Sequence, residues 1–245
     1  MGKYFFFLLI TIICFSANAQ KTIAVNPFDK VIVSPHIQAT FIEGDEEKVT
    51  IEKSTVSDDK INIEVSGTTL RVYLDDAKEV TKNKTVYENG HKVERPIYQG
   101  TVVTATITYK TLDALSVRGE ETLVCKSLLK GTKFRLRIYG ESQVFINEVS
   151  LAELQATIYG ESLLEIKSGL ITDQKFTAYG ESEVNSLGIK SNSAKITAYG
   201  EAGFQINVSD EIKITSYGEA KLKYKGNPKI VKGLNIGKVQ IDKTD

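Results

Sequence analysis

Tryptophan is absent, methionine occurs only at position 1, and histidine occurs twice, at His36 and His91. Two imidazoles give proton transfer near neutral pH little to draw on, which counts against histidine-based acid–base catalysis. Cysteine is almost as scarce, with only Cys14 and Cys125. Cys14 falls in an N-terminal leader, so Cys125 has no partner for an intrachain disulfide. Cys125 sits in the apolar run Leu-Val-Cys and reads as a small buried hydrophobe rather than a nucleophile. Net charge is missing too: 31 basic residues balance 31 acidic ones. No global charge therefore draws the chain to nucleic acid or to an anionic membrane. The longest apolar run, YFFFLLITIICF, is too short for a membrane-spanning helix.

That run has the design of an export signal. Lys3 supplies a short basic start, Tyr4–Phe15 the apolar stretch, and Ala17-Asn18-Ala19 a small-x-small cleavage site. Residues 1–19 are expected to be a signal peptide, with Gln20 the first mature residue. Cys14 opens a lipoprotein alternative, but Ile13 precedes it where lipid attachment wants a small residue, and the Ala-x-Ala site follows. Lys3 leaves with the leader, so 30 basic and 31 acidic residues remain and the mature formal charge is −1. The expected location is exported: periplasm, outer surface or secreted. No integral membrane span is expected in the mature chain, and no nucleic-acid partner.

What the chain has in excess is one tripeptide. Tyr-Gly-Glu recurs with its glycine at Gly140, Gly160, Gly180, Gly200 and Gly218, and a degenerate Arg118-Gly119-Glu120 precedes them. A period near twenty residues over six copies marks a stacked repeat. Within each copy apolar and polar residues alternate. Leu154, Ala156, Ile158, Gly160, Ser162, Leu164 and Ile166 share one parity; Gln155, Thr157, Tyr159, Glu161 and Glu165 share the other. That is strand periodicity, and it runs through the glycine without a phase slip. Tyr-Gly-Glu is therefore read as a bend in a strand, with Gly and the following Ser or Ala facing inward. Turns are expected at 147–153, 168–173 and 187–194. Twenty residues at about 3.3 Å each make a perimeter of about 66 Å, one coil of a β-solenoid. An antiparallel meander would need a turn at the midpoint of each copy. The expected fold is all-β: a right-handed parallel β-helix with coils of about 20 residues and a less regular N-terminal β section.

Stacking turns outward positions into columns. The tyrosine column is Tyr139, Tyr159, Tyr179, Tyr199 and Tyr217; the carboxylate column is Glu141, Glu161, Glu181, Glu201 and Glu219, preceded by Glu120. Beside them run a basic column (Arg135, Gln155, Lys175, Lys195, Lys213) and one of Arg137 and four threonines. Packing along an exposed β-surface accounts for Thr and Tyr as well as ligand contact does. The tyrosines are the candidate ligand-binding residues, since an aromatic face can stack a sugar. The glutamates are harder to explain by folding. Carboxylates on successive coils repel by about 0.8 kcal/mol in a water-like dielectric. Either the corner splays them into water, or they hold a cation such as Ca²⁺, which makes them the candidate metal ligands. No other cofactor and no catalytic residue is indicated.

Residues 20–117 read as irregular β coils or a cap, with a hairpin projecting near 80–99 around Asn89-Gly90. Residues 118–225 are the regular repeats and 226–245 a closing segment.

Three features together carry a resemblance: the opening FDKVIVSPHIQATFIEGDEEKVTIE, the twenty-residue copies with a small-residue core, and the closing YKGNPKI with its Gly-rich tail. From about Val25 to Val239 the chain resembles the secreted domains named "putative auto-transporter adhesin, head GIN domain". The resemblance implies a right-handed single-stranded β-helix, export and no established catalysis. The family's repeats usually read Ser-Gly-small-Gly, so Tyr and Glu are this chain's own outward residues. The expected function is a non-catalytic, adhesin-like module presenting the Tyr/Glu wall to a glycan or a surface protein. An envelope scaffold without a small ligand is the alternative, and a polysaccharide lyase-like enzyme a further one.

Overall fold

In the computed structural model the described residues are 20–244. The expected leader, its cleavage site and Cys14 lie outside them. The strands are β1 (Lys21–Ala24), β2 (Lys30–Val33), β3 (Ile37–Glu43), β4 (Lys48–Ser54), β5 (Ile61–Ser66), β6 (Thr69–Leu74), β7 (Asn83–Glu88), β8 (His91–Pro96), β9 (Val103–Tyr109), β10 (Ala114–Gly119), β11 (Thr122–Gly140), β12 (Gln143–Gly160), β13 (Leu163–Tyr179), β14 (Ser182–Lys225), β15 (Lys229–Ile236) and β16 (Val239–Lys243). All but β7 and β8 join one sheet, wound as a β-solenoid of about 6 turns. Parallel pairing sets each copy on the next: Tyr139 faces Tyr159, Tyr159 faces Tyr179, and Tyr179 faces Tyr199.

The inward parity fills the interior. Phe134, Leu136, Ile138, Leu154, Ile158, Phe176, Val184, Ile196 and Ile206 are each at most 1% exposed. Cys125 lies in the same core at 0% exposure, and burial pushes its thiol up to about 12, far from a thiolate at physiological pH. The expected turns at 147–153 and 168–173 are not loops. Glu148 pairs with Ser168 and Glu153 with Asp173, so the ladder continues around the second bend. Neighbouring coils on both sides supply the backbone hydrogen bonds that a free turn would have to find locally.

The first coils depart from chain order. β10 lies parallel on β2, and β11 on β3, while β6 and β9 lie on the other side of β2 and β3. The chain thus builds the coil of β2 and β3, leaves it for the end of the stack, and passes back over it to start β10. Antiparallel β5, β4 and β1 cover that end. Between β6 and β9 the chain makes an excursion that carries the β7–β8 hairpin, turned through Asn89 (φ 51°) and Gly90 (φ 79°).

At the Tyr-Gly-Glu corner the alternation holds for Ser142, Ser162 and Ser182, which are buried, but not for glycine. The corner glycines are exposed or half-buried, with φ from 95° at Gly160 to 139° at Gly218. The inward assignment of glycine is therefore corrected: it serves a backbone conformation that an L side chain rarely adopts. The buried serines then complete the corner. Ser142 Oγ donates to Gly119 O at 2.8 Å, Ser162 Oγ to Gly140 O at 3.0 Å, and Ser182 Oγ to Gly160 O at 3.1 Å. Ala202 and Ala220 occupy the same place in later coils, so the corner accepts a methyl group there. Ser162→Ala is expected to cost about 1 kcal/mol, the net worth of one such bond, read from a urea titration. A loss under a quarter of that would show the serine hydroxyl to be idle.

Candidate functional site

The corner columns are longer than their tripeptide. Gly237, nineteen residues after Gly218, forms a seventh glycine corner: a side chain built on it would run into Gly218 O. Ile236 lies opposite Tyr217, and Lys238 N donates to Gly218 O at 3.1 Å. The tyrosine column accordingly starts with Arg118 and ends with Ile236, and the carboxylate column ends with Lys238. Gly237 was legible in the spacing alone, and reading the repeat by its full tripeptide missed it.

The five tyrosines form one stack. Successive ring centroids lie 4.8–4.9 Å apart with planes within 4° of parallel. The coil spacing sets this distance, since the rings project from adjacent rungs at one register. The Arg118 guanidinium covers the free face of Tyr139 at 5.0 Å, a cation–π contact that closes the end of the ladder. The inner rings therefore turn their faces to one another. Tyr159, Tyr179, Tyr199 and Tyr217 are each 37–38% exposed, through ring edges and hydroxyls. A face that the next ring already covers is closed to a sugar, so the inner rings present only their edges and hydroxyls.

Past the corner runs a groove of about 490 Å³. Glu141, Glu161, Glu181, Glu201 and Glu219 line one side; Gln143, Leu163, Glu183, Gly203 and Lys221 line the other. Six carboxylates thus face one ammonium group. Glu183 lies over Gly203, where a β-carbon would meet its carboxylate. The glutamates stand one per coil in a row. Among the described residues no three His, Cys, Asp or Glu side chains group so as to hold a metal, whereas Ca²⁺ takes about six to eight oxygens. Like charges in file oppose each other most in dilute buffer. Glu161→Gln/Glu181→Gln is expected to raise the thermal midpoint by about 2 °C at low salt and to lose that gain near 1 M salt. A variant that melts below wild type at low salt would overturn this.

The two histidines lie elsewhere. His91 is exposed on the hairpin. His36 (φ 70°) sits in the first coil with Nδ1 2.8 Å from Gly100 O and Nε2 2.6 Å from Thr81 Oγ1. Nδ1 therefore carries a proton, which ties down both ends of the excursion. Glu121 lies 3.8 Å from Nδ1 with its side chain 5% exposed. Burial raises its carboxyl above the usual range, while the Glu120 N–H and His36 oppose the shift. A raised folded value means stability held in acid and lost as pH rises through it. Glu121→Gln should therefore raise the thermal midpoint at pH 7 and flatten its decline above pH 4.5; an unchanged pH profile would refute it.

Fold and corner together define the chain as a parallel β-solenoid displaying a stacked-tyrosine edge beside an acidic groove. It belongs to the family described as "Putative auto-transporter adhesin, head GIN domain", whose model matches residues 27–228. Among solved structures, a putative adhesin from Bacteroides fragilis NCTC 9343 superposes with TM-score 0.72 at 18% identity, covering 91% of this chain and 96% of its own. A putative adhesin from Parabacteroides merdae ATCC 43184 gives 0.64 at 18% identity, over 93% and 96%. A putative lipid binding protein from Parabacteroides distasonis ATCC 8503 gives 0.67 at 16% identity, over 94% and 98%. These likenesses establish the fold. No curated protein matches. The family's designation is that of an exported adhesin, and among the described residues no helix is long and apolar enough to cross a membrane.

Proposed function

We propose that the mature chain is a non-catalytic, exported binding module at the cell envelope or surface. It contacts a glycan or a surface protein along the Tyr139–Tyr217 ladder and the neighbouring glutamates. The observation that carries this reading is the ladder's regular exposure: phenol groups and carboxylates side by side, repeating every 4.8–4.9 Å over five coils. Such a strip offers hydroxyl donors and charged acceptors in register, which suits a partner rich in hydroxyl or amine groups. Strict repetition suits binding better than catalysis, which needs unlike groups converging at one place. A polyuronate would meet like charge in the acidic groove, which weighs against a lyase acting there.

The second reading, a scaffold without a small ligand, draws on the ring faces being used up inside the ladder. Screening the mature protein on a glycan array and against surface-protein fractions tests both. Binding that disappears in Glu161→Gln/Glu181→Gln while the fold persists supports the module. Silence on every surface supports the scaffold. Unsaturated products from uronic-acid polymers would overturn both.

A further inference from the structure

On the flat wall before the corner, two outward columns run the length of the solenoid. One passes through Lys30, Ala114, Arg135 and Gln155; the other through Ile32, Ser116, Arg137 and Thr157. From Thr69 to Lys213 only the rung of β10 has small residues in both places. Its Ala114 and Ser116 leave a gap between the rung of β2 and the rung that follows. The gap is a notch of about 350 Å³. Rungs two apart are about 9.6 Å from each other, and residues two apart along a strand about 6.7 Å, so its mouth is sugar-sized rather than ion-sized.

Four cationic side chains line it, Lys30, Arg118, Arg135 and Arg137, and no carboxylate does. Arg135 and Arg137 have no ion-pair partner among the described residues. Arg118 is fixed differently: Glu79 pairs with its Nη1 and Tyr139 lies under its guanidinium, while its Nε is buried with no hydrogen-bond partner. A buried donor left unpaired is costly. The repeat breaks its own pattern here. In the coils that follow these columns carry Gln or Lys and Thr; at Arg135 and Arg137 they carry two planar donor forks.

We propose that this notch binds the oxyanion of an acidic saccharide unit, a uronate or a sulfated sugar. Arg135 and Arg137 grip the anion, Lys30 adds charge from the far rim, and the hydroxyls of Tyr139 and Ser116 meet the ring. The site touches the Tyr/Glu strip only at Tyr139, and Lys30, Arg135 and Arg137 lie outside the strip, so either can fail alone.

The test is calorimetric titration of the full mature chain with three oligosaccharides of equal length: uronate-bearing, sulfated and neutral. Inorganic sulfate serves as competitor. At least one acidic oligosaccharide should bind and the neutral one should not. Arg135→Gln/Arg137→Gln should weaken binding by about tenfold or more, as expected for lost charge-assisted forks. Ala114→Arg fills the notch while adding a positive charge, and it too should weaken binding. Lys195→Gln/Lys213→Gln removes the same charge from the wall at a distance and should change little. Which acidic oligosaccharide binds distinguishes carboxylate from sulfate. Tighter binding by Ala114→Arg, or equal losses in the two double variants, would reduce the effect to diffuse charge and overturn the site. So would binding to neither acidic oligosaccharide, or sulfate competing as well as the sugar.

Discussion

Gly160→Ala should cost the protein more than about 3 kcal/mol and lower its thermal midpoint by about 10 °C. Two effects add. Gly160 has φ 95°, outside the range an alanine enters without strain of about 1–3 kcal/mol. Its new β-carbon would also land on Gly140 O in the preceding coil. That obstacle is backbone, held by its own rung and by the Ser162 hydroxyl, so it cannot swing aside as a side chain can. Relief requires prising two coils apart, which breaks ladder bonds and parts Tyr139 from Tyr159. Gly131→Ala is the control. Gly131 has φ 155°, which strains an alanine too, but open space where the β-carbon would go, so the change should carry the strain alone, about 1–3 kcal/mol. Gly180 lies between, with Gly160 O at 3.1 Å from its would-be β-carbon, so Gly180→Ala should be milder than Gly160→Ala. Urea midpoints for the three variants give the ordering, and Gly160→Ala no worse than Gly131→Ala would show that the corner does not constrain the coil.

The contrast between these glycines marks what was legible from residues alone. Strand parity in copies such as Leu154–Ile166 is a local property, and stacking at a fixed period converts it directly into columns. The fold and the Tyr and Glu stripes were therefore readable. The left-handed corner was not: the alternation runs through glycine unbroken whether it points inward or merely bends, and only φ separates the two. Nor was the disposition of the rings. One sequence column fits tyrosines that offer their faces outward or to each other, and the coil spacing near 4.8 Å, so close to a ring-stacking distance, decides for the latter. The coil of β2 and β3 was hidden for another reason. Its corner reads Ser34-Pro35-His36, without tripeptide or glycine, and its place between β6 and β10 defies chain order. The notch escaped because it depends on Ala114 and Ser116, whose small size signals nothing until larger neighbours stand on both sides.

Tyr179→Ala should destabilise the protein by about 2 kcal/mol, because it removes two stacked pairs worth about 0.5–1.5 kcal/mol each. The ring of Tyr179 lies 4.8 Å from Tyr159 on one side and 4.8 Å from Tyr199 on the other. Tyr217 has a single tyrosine neighbour, at 4.9 Å, so Tyr217→Ala should cost about half as much. Equal losses at the two positions would mean that each tyrosine packs on its own coil and that stacking contributes nothing. Phenylalanine separates stability from binding. Tyr159→Phe/Tyr179→Phe/Tyr199→Phe keeps every ring and deletes three hydroxyls, so the midpoint should stay within about 2 °C of wild type. Since the inner faces are covered by adjacent rings, the hydroxyls are the polar groups the ladder turns outward. If the strip recognises a partner through them, the triple variant loses that partner while melting normally. If it binds as well as wild type, the hydroxyls are idle and recognition falls to the glutamates alone. The ladder would then be a stiffening rib, spacing the carboxylates evenly along the groove.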